Sequence, residues 1–275
     1  VDITLSDDGK VGVRGDKDHP ANFGKLCSKG SALAETLGDA DRLTQPQIDG
    51  KAVDWEQALT HVAKRFKAVV DAHGPDSVAF YVSGQLLTED YYVANKLMKG
   101  FIGSGNIDTN SRLCMSSSVA GHIRAFGSDT VPGNYEDLEQ AELIILTGSN
   151  TAWCHPVLYQ RIVKAKRARP QMKVVVLDPR RTATCDIADL HLPLKPGTDA
   201  VFFNGLLSYL AETGVTDFGF VNKHTQGMDE ALHQARWSSP DVPTTAARCG
   251  VDAEQLATVF RWFASLEKSV TVYSQ

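Results

Sequence analysis

The chain of 275 residues lacks long apolar runs, paired cysteines and an excess of basic charge. No stretch approaches the roughly 18 consecutive apolar residues of a membrane-spanning helix, so we expect no membrane span. The formal net charge is −5 and the Lys and Arg residues are scattered, which argues against nucleic acid as a partner. No CxxC pair occurs among the cysteines, and this odd, widely spaced set favours a reducing compartment over a disulfide framework; they stand at positions 27, 114, 154, 185 and 249.

Two common nucleotide motifs are also missing. There is no GxGxxG after the first strand and no GxxxxGK[ST], which excludes a simple NAD-binding domain and a P-loop NTPase. The basic run 161–169 lies near the end of a predicted helix, where a solvated face is the expected role. The chain begins without Met and stops in an apolar run, 270–275, that resembles a strand, so we expect a fragment of a longer protein.

Apolar segments with two different periodicities alternate after the first forty or so residues, which are rich in loops and turns. We predict helices over 55–73, 88–101 (with Thr88 as N-cap), 115–126, 156–169, 198–212 and 253–265, and strands over 77–82, 143–147, 174–177, 187–192 and from 270. Alternation of this kind predicts an α/β fold: mainly parallel, Rossmann-like sheets with helices on both faces, preceded by a small irregular subdomain.

Polar loops follow three of the predicted strands. Gly148–Asn150 comes after the strand that ends at Thr147, Asp178–Thr182 after the next strand, and Gly197–Asp199 after the third. In parallel sheets, ligands bind beyond the carboxyl ends of the strands, where glycines allow close approach and helix N-termini attract anions. Considered without the other two loops, Asp199 would be interpreted as a helix cap and not as a ligand contact. Together, the three loops predict a nucleotide site.

Cys114 is the most informative single residue. It stands between a glycine-rich loop and a predicted helix, where a thiolate could bind a soft, redox-active metal. A lone cysteine is more often a small buried hydrophobe, and Cys185 and Cys249 are expected to be ordinary core or surface thiols. Because three polar loops predict a nucleotide site in the same chain, we interpret Cys114 as a metal ligand and not as a buried hydrophobe.

These segments resemble the molybdenum bis(molybdopterin guanine dinucleotide) oxidoreductases of the dimethyl sulfoxide reductase superfamily. The segment 16–30 resembles the end of that family's iron–sulfur region, with Cys27 at the fourth cluster-ligand position and Lys29 where a lysine bridges cluster and pterin. The segment Asn106–Met115 resembles the metal-ligand loop of bacterial nitrate reductases, which implies Cys114 as the molybdenum ligand.

The resemblance also assigns the polar loops. It implies that Gln85 and Asn110 contact pterin and that three loops hold one guanine dinucleotide; their residues are Thr147, Gly148, Ser149, Asn150, Asp178, Pro179, Arg180, Arg181, Thr182, Gly197, Thr198 and Asp199. Residues 1–48 would be the remainder of the 4Fe-4S subdomain, 49–114 the N-terminal half of a first α/β domain, and 115–275 the dinucleotide-binding domain. The three earlier cluster cysteines and the second dinucleotide region are expected outside the chain, so the fragment alone should be inactive.

Met115 bears on the reaction that the resemblance implies. Formate dehydrogenases of the superfamily usually place a His after the metal ligand, whereas Met cannot accept a proton, which favours oxygen-atom transfer from nitrate. Electrons would return through the cluster and Lys29 from a ferredoxin, a flavodoxin or an NADH-linked reductase. The likeness is greatest to the assimilatory, cytoplasmic branch, with a periplasmic homologue as the alternative location.

The sequence is also compatible with other functions. A formate dehydrogenase-like enzyme or another oxyanion reductase would share most of these residues, because the part of the protein that shapes the substrate funnel is expected outside the chain. A non-catalytic scaffold subunit would keep the fold without the metal. A plain nucleotide-binding module would bind guanine nucleotide but neither pterin nor molybdenum.

Overall fold

The computed structural model describes residues 1–40 and 42–274, which form two compact units. The first combines Val1–Ala34 with Pro132–Ser274, and the second is Glu35–Val131. The strands are β1 Asp2–Leu5, β2 Val11–Arg14, β3 Gln47–Ile48, β4 Lys51–Ala52, β5 Phe80–Val82, β6 Ile107–Thr109, β7 Leu143–Thr147, β8 Lys173–Leu177, β9 Leu190–Leu192 and β10 Ser269–Tyr273.

Helices connect most of these strands. They are α1 Ser28–Ser31, α2 Trp55–His73, α3 Thr88–Asn95, α4 Asn110–Cys114, α5 Ser116–Phe126, α6 Tyr135–Gln140, α7 Thr151–Cys154, α8 Pro156–Ala168, α9 Asp199–Glu212, α10 Phe218–His224, α11 Met228–Ser238, α12 Val242–Cys249 and α13 Ala253–Ser265. Short 3₁₀ turns cover Leu33–Leu37, Pro75–Ser77 and Ala183–Ile187, and α3 continues as a π-helix over Lys96–Ile102.

The core of the first unit is a parallel sheet with the strand order β10-β7-β8-β9. Successive side chains of a strand point to opposite faces, so the continuous apolar runs of β7 and β8 require cover on both sides. Leu143 and Ile145 pack with side chains of α9, α12 and α13, whereas Ile144 and Leu146 pack with side chains of α6 and α8. The predicted α/β fold, with helices on both faces of a parallel sheet, is confirmed.

The second unit holds a shorter parallel pair, β5 and β6, with Phe80 opposite Ile107 and Val82 opposite Thr109. Helix α2 precedes β5 and begins with a capping box, in which the Asp54 side chain accepts a hydrogen bond from the backbone N–H three residues later. Because β5 and β6 are parallel, their carboxyl ends meet at one edge of this sheet.

Several element boundaries differ from the sequence prediction. Thr88 is the first residue of α3 and Leu87 is its N-cap, so the prediction of a Thr88 cap was wrong. The strand predicted from residue 77 begins at Phe80 and the one predicted from residue 187 begins at Leu190, because 3₁₀ turns come before them. The last strand ends at Tyr273, and residue 275 lies outside the described residues. Across residues 1–40 and 42–274, no helix combines the length and the apolar character that crossing a membrane requires.

The basic run 161–169 is only partly the solvated face that its composition suggested. Lys164 and Arg167 are exposed, as expected. Arg161, however, is buried, and Lys166 forms an ion pair with Asp189 at 2.7 Å. Arg169 donates hydrogen bonds to carbonyl oxygens at the end of α6. These last three cations therefore hold α8 against its neighbours, because each has a partner that is distant in the sequence.

Candidate functional site

The three polar loops of the first unit lie side by side at the carboxyl edge of its sheet. The Gly148 N–H donates to the carbonyl of Leu177 at 2.8 Å, and the Asp178 N–H donates to the carbonyl of Leu192 at 3.3 Å. Each bond joins the end of one strand to the end of the next. The loops that follow β7 and β8 are therefore neighbours in space, and the end of β9, from which the third loop continues, lies beside them, as a ligand spanning all three would require.

The loop after β7 combines unusual backbone conformations with a buried hydroxyl that has no partner. Gly148 has φ +55° and Asn150 has φ +38°, in the left-handed region that Gly and Asn tolerate best. Thr147 is 6% exposed, and its Oγ1 has no hydrogen-bond partner among the described residues. Ser149 is also buried, and its hydroxyl is bonded to that of Thr151.

Thr184 supports this loop and was missed by the sequence analysis. Its Oγ1 donates to the Asn150 side-chain carbonyl at 3.3 Å and accepts the backbone N–H of Ala152 at 3.1 Å. Thr184 is buried in the 3₁₀ turn that follows the second loop. Its position in the sequence, two residues after Thr182, does not indicate a contact with residues more than thirty positions earlier.

The loop after β8 presents a buried carboxylate followed by exposed cations. Asp178 is 6% exposed, and its carboxylate accepts the Arg180 backbone N–H at 2.8 Å. Arg180 and Arg181 are exposed, and Pro179 precedes them at the surface. Thr182 ends the loop, and its hydroxyl accepts the backbone N–H of Thr184 at 3.3 Å.

His191 in β9 holds the backbone at this point. Its Nε2 is hydrogen-bonded to the Asp178 carbonyl oxygen at 2.8 Å. A carboxylate whose backbone N–H and carbonyl are both fixed is well suited to accept hydrogen bonds from ribose hydroxyls or a base N–H pair. The adjacent arginines can bind phosphate oxygens in pairs.

The loop after β9 ends at the open N-terminus of α9. Gly197 has φ +79°, and Thr198 is the N-cap but makes no side-chain capping bond, because its hydroxyl donates to the Lys195 carbonyl at 2.6 Å. Asp199 is the first helical residue, so the alternative in which it only caps the helix is wrong. The Thr198 side chain thus leaves the first N–H groups of this 14-residue helix open to a ligand.

This edge of the sheet fits a nucleotide such as a guanine dinucleotide. The orphaned Thr147 hydroxyl, the Asp178 carboxylate and the uncapped end of α9 offer hydrogen-bonding groups at three successive strand ends. Glycines at 148 and 197 remove side chains where a ligand can approach the backbone. Neutral, anionic and cationic groups of this kind match the hydroxyls, base and phosphates of a nucleotide.

In the second unit, the predicted pterin contacts lie at the ends of β5 and β6. A Cβ atom on Gly84 would lie 2.6 Å from the Asn110 side-chain oxygen, so a larger residue there would displace that amide. Gln85 is exposed, and its backbone N–H donates to the Ser83 hydroxyl at 3.1 Å. Asn110 begins α4, and its side-chain oxygen accepts from the Thr109 hydroxyl at 3.1 Å.

Tyr91 anchors the loop after β5. Its hydroxyl donates to the Ser83 carbonyl at 2.6 Å and accepts the Leu86 backbone N–H at 3.3 Å. Sequence patterns gave no sign of this contact between a helix and the loop before it. Tyr91 therefore fixes the backbone on both sides of Gln85.

Cys114 and Met115 follow within the same unit. Cys114 is the last residue of α4 and is exposed, so it is not the buried hydrophobe that a lone cysteine usually is. Met115 is half-buried and is the N-cap of α5. The thiol is accessible at the junction of two helices, a few residues beyond Asn110.

Cys27 and Lys29 lie in the first unit at the short helix α1. Cys27 is the N-cap of α1, and the backbone N–H groups of Gly30 and then Lys29 lower the pKa of its thiol. A stabilised thiolate suits metal ligation, and Lys29 is exposed. Within the described residues there is no group of three or more His, Cys, Asp or Glu side chains placed to hold a metal ion. The Cys27 thiol can supply one of the four thiolates that a 4Fe-4S cluster needs.

The remaining cysteines divide by burial. Cys185 and Cys249 are buried, and burial raises the pKa of both thiols. A raised pKa disfavours the thiolate that metal ligation needs, which suits the ordinary roles expected for these two residues. Cys154 is exposed at the end of α7.

Residues 42–217 match the molybdopterin oxidoreductase family, and residues 1–38 match the molybdopterin oxidoreductase Fe4S4 domain. The chain is similar to a nitrate reductase of Klebsiella oxytoca, with 54% identity over 97% of this chain and 30% of that protein. It is 49% identical to a nitrate reductase of Shewanella frigidimarina over 95% of this chain and 28% of that protein. The chain thus spans less than a third of the length of these relatives.

Two further comparisons concern another nitrate reductase sequence and a solved structure. The chain is 43% identical to the periplasmic nitrate reductase of Desulfovibrio desulfuricans over 97% of this chain and 37% of that protein. The solved structure of acetylene hydratase from Pelobacter acetylenicus is similar with a TM-score of 0.77 and 22% identity, over 99% of this chain and 38% of that one. At this identity, the likeness to that structure shows the fold alone.

Proposed function

Because the chain belongs to the molybdopterin oxidoreductase family, we propose that it is part of the catalytic subunit of a nitrate reductase, which reduces nitrate to nitrite by oxygen-atom transfer. The observation that carries the proposal is the carboxyl edge of the first unit's sheet, where three successive strand ends carry the partnerless Thr147 hydroxyl, the buried Asp178 carboxylate and the uncapped N-terminus of α9. The similarity to nitrate reductases along nearly the whole chain supports nitrate as the substrate.

The first unit would bind one guanine dinucleotide. Asp178 would accept hydrogen bonds from its base or ribose, and Arg180 and Arg181 would bind its phosphates. The loops around Thr147 and Thr198 would complete the cradle, with the N-terminus of α9 facing an anionic group. The burial of the carboxylate and the exposure of the arginines support these roles.

The second unit carries the residues proposed to contact molybdenum and pterin. Molybdenum, when bound, supplies two-electron chemistry that no side chain of this protein can perform. The Cys114 thiolate would ligate it, and Gln85 and Asn110 would contact the pterin. Met115 cannot accept a proton, which suits oxygen-atom transfer better than proton removal from formate.

Cys27 would provide one ligand of a 4Fe-4S cluster, and Lys29 would assist electron transfer from that cluster to the pterin. The lowered pKa of Cys27 favours the thiolate that cluster ligation requires. Electrons would come from a ferredoxin, a flavodoxin or an NADH-linked reductase. The proposed location is the cytoplasm, where thiols stay reduced.

The test is the substitution Cys114→Ser in the complete holoenzyme. Nitrate turnover should fall to background while the protein still folds, because the change replaces only one exposed sulfur. Cys154→Ser is the matched control, since that thiol is also exposed, and it should retain turnover. Full nitrate turnover by the Cys114→Ser enzyme would refute the proposed role of this residue.

A further inference from the structure

Arg161 is a buried cation that the proposed reaction does not use. It is 2% exposed, although it lies in a run of basic residues on α8. Burying a guanidinium is costly unless its N–H groups are paired, so a cation in this position calls for a set of specific partners.

On one side, Arg161 is paired with α6. Its Nε lies 2.7 Å from a carboxylate oxygen of Glu139, and its Nη2 lies 3.3 Å from a carboxylate oxygen of Glu136. The centre of the Tyr135 ring lies 5.6 Å from the guanidinium carbon. These contacts join α8 to α6 and leave Nη1 for another partner.

On the other side, Arg161 contacts the turn that precedes Cys27. Nη1 lies 3.2 Å from the Ala21 carbonyl oxygen and 3.4 Å from that of Pro20. The centre of the Phe23 ring lies 5.1 Å from the guanidinium carbon, within the range of a cation–π contact. One side chain thus connects α8 to a turn 140 residues earlier in the chain.

This turn has a specific and crowded backbone. Phe23 has φ +47° and Gly24 has φ +80°, and a positive φ is unfavourable for a bulky residue such as Phe. A Cβ atom on Gly15 would lie 2.1 Å from the Gly24 carbonyl oxygen, so the turn packs directly against the end of β2. The turn is held by its own hydrogen bonds, such as that from the Phe23 N–H to the His19 carbonyl oxygen at 2.9 Å, and Arg161 adds contacts from outside it.

We propose that Arg161 is a positioning residue that holds the 19–25 turn and thereby sets the place of the Cys27 thiolate and Lys29 within the first unit. This inference rests on the proposed role of Cys27 as a cluster ligand. The guanidinium spans the turn and α6, so its removal frees the segment that leads into α1 while the parallel sheet keeps its own core.

The test uses two separate single variants of the complete holoenzyme, Arg161→Gln and Phe23→Ala. Backbone amide exchange in residues 19–27 should become about tenfold faster in Arg161→Gln, while exchange in β7 is unchanged. The cluster's midpoint potential and its electron paramagnetic resonance signal should also shift, since both depend on the surroundings of the thiolates. Lys164→Gln, which changes an exposed cation on the same helix, is the matched control and should leave all three measurements unchanged.

Phe23→Ala keeps the test decisive if Arg161→Gln does not fold, because Phe23 is 47% exposed and its loss leaves no buried charge without its carboxylate partners. It should cause the same changes to a smaller degree. A faster-exchanging turn with an unaltered cluster signal, or an unaltered turn, would overturn the proposal. A wild-type holoenzyme without any cluster would instead refute the proposed function.

Discussion

Replacing Thr147 by Val should stabilise the cofactor-free protein and weaken its binding of guanine nucleotide. The two side chains have nearly the same shape, so the change substitutes a methyl group for a hydroxyl without opening a cavity. Thr147 is buried, and its hydroxyl has no partner among the described residues. The substitution therefore removes a polar group that the cofactor-free protein leaves unpaired.

The magnitude follows from the cost of an unpaired polar group. A buried hydroxyl without a hydrogen bond costs about 1–3 kcal/mol, and Val at this position avoids that cost. The melting temperature of a unit of this size should rise by roughly 2–4 °C for each kcal/mol gained. If the hydroxyl binds the nucleotide, losing that bond should weaken binding by about 0.5–1.5 kcal/mol, or roughly two- to tenfold.

The assay pairs thermal unfolding of the cofactor-free chain with calorimetric titration of GDP, which represents the nucleotide half of the cofactor. Ser208→Ala is one control, because the Ser208 hydroxyl is also buried without a partner among the described residues but belongs to α9, away from its N-terminus. It should raise stability without changing GDP binding. Thr151→Val is the opposite control, because it breaks the bond to Ser149 and should lower stability by about 1 kcal/mol.

The outcome that refutes the reasoning is a lower melting temperature for Thr147→Val. That result would mean that the Thr147 hydroxyl is hydrogen-bonded in the cofactor-free protein. Higher stability with unchanged GDP affinity would instead remove Thr147 from the nucleotide contacts while leaving the energetic argument intact.

Two further predictions concern packing and thiol chemistry. Gly205→Ala should lower the free energy of unfolding by about 1–3 kcal/mol, because its Cβ would lie 2.5 Å from the Oγ1 and Cγ2 atoms of Thr245 on α12. Adding Thr245→Ala to the same chain should restore part of that free energy, as measured by urea unfolding. An equal loss in the double variant would contradict this contact. Cys27 in the cluster-free chain should be alkylated by iodoacetamide with a midpoint pH below that of the same thiol in the urea-unfolded chain, since the N–H groups of Gly30 and Lys29 favour its thiolate and so lower its pKa. The pKa is lower in the folded state, so the stabilising effect of the thiolate is present above the unfolded pKa and is lost as pH falls through the folded one. A midpoint at or above that of the unfolded chain would argue against these contacts.

Much of the fold could be predicted from local patterns. The helix Trp55–His73, the strand Leu143–Thr147 and the helix Ala253–Ser265 have the predicted bounds, because long periodic segments with clear caps carry their own signal. The short helices α10, α11 and α12 were not predicted. For α11 and α12 the reason is that they pack against α9, a partner that local periodicity does not reveal.

The candidate site also contains some residues that local patterns indicated and others that they did not. Residue types after each strand were sufficient to select the loops at Thr147, Asp178 and Gly197, because parallel strands present their carboxyl ends on one edge. The supporting contacts of Thr184, Tyr91 and His191 were not apparent, because each depends on a partner several to many residues away or on the direction of a side chain.

Local sequence patterns were enough to predict the order of the main strands and helices along the chain and the exposure of Lys164 and Arg167, and to select the polar loops as candidates. Only the folded chain shows that Arg161 is buried, that Asp199 is not a cap and that backbone hydrogen bonds join the Gly148 and Asp178 loops to the ends of the neighbouring strands. Periodicity and turn chemistry report interactions between residues a few positions apart. Burial of a charge depends instead on partners that are distant in the sequence and that only folding brings together.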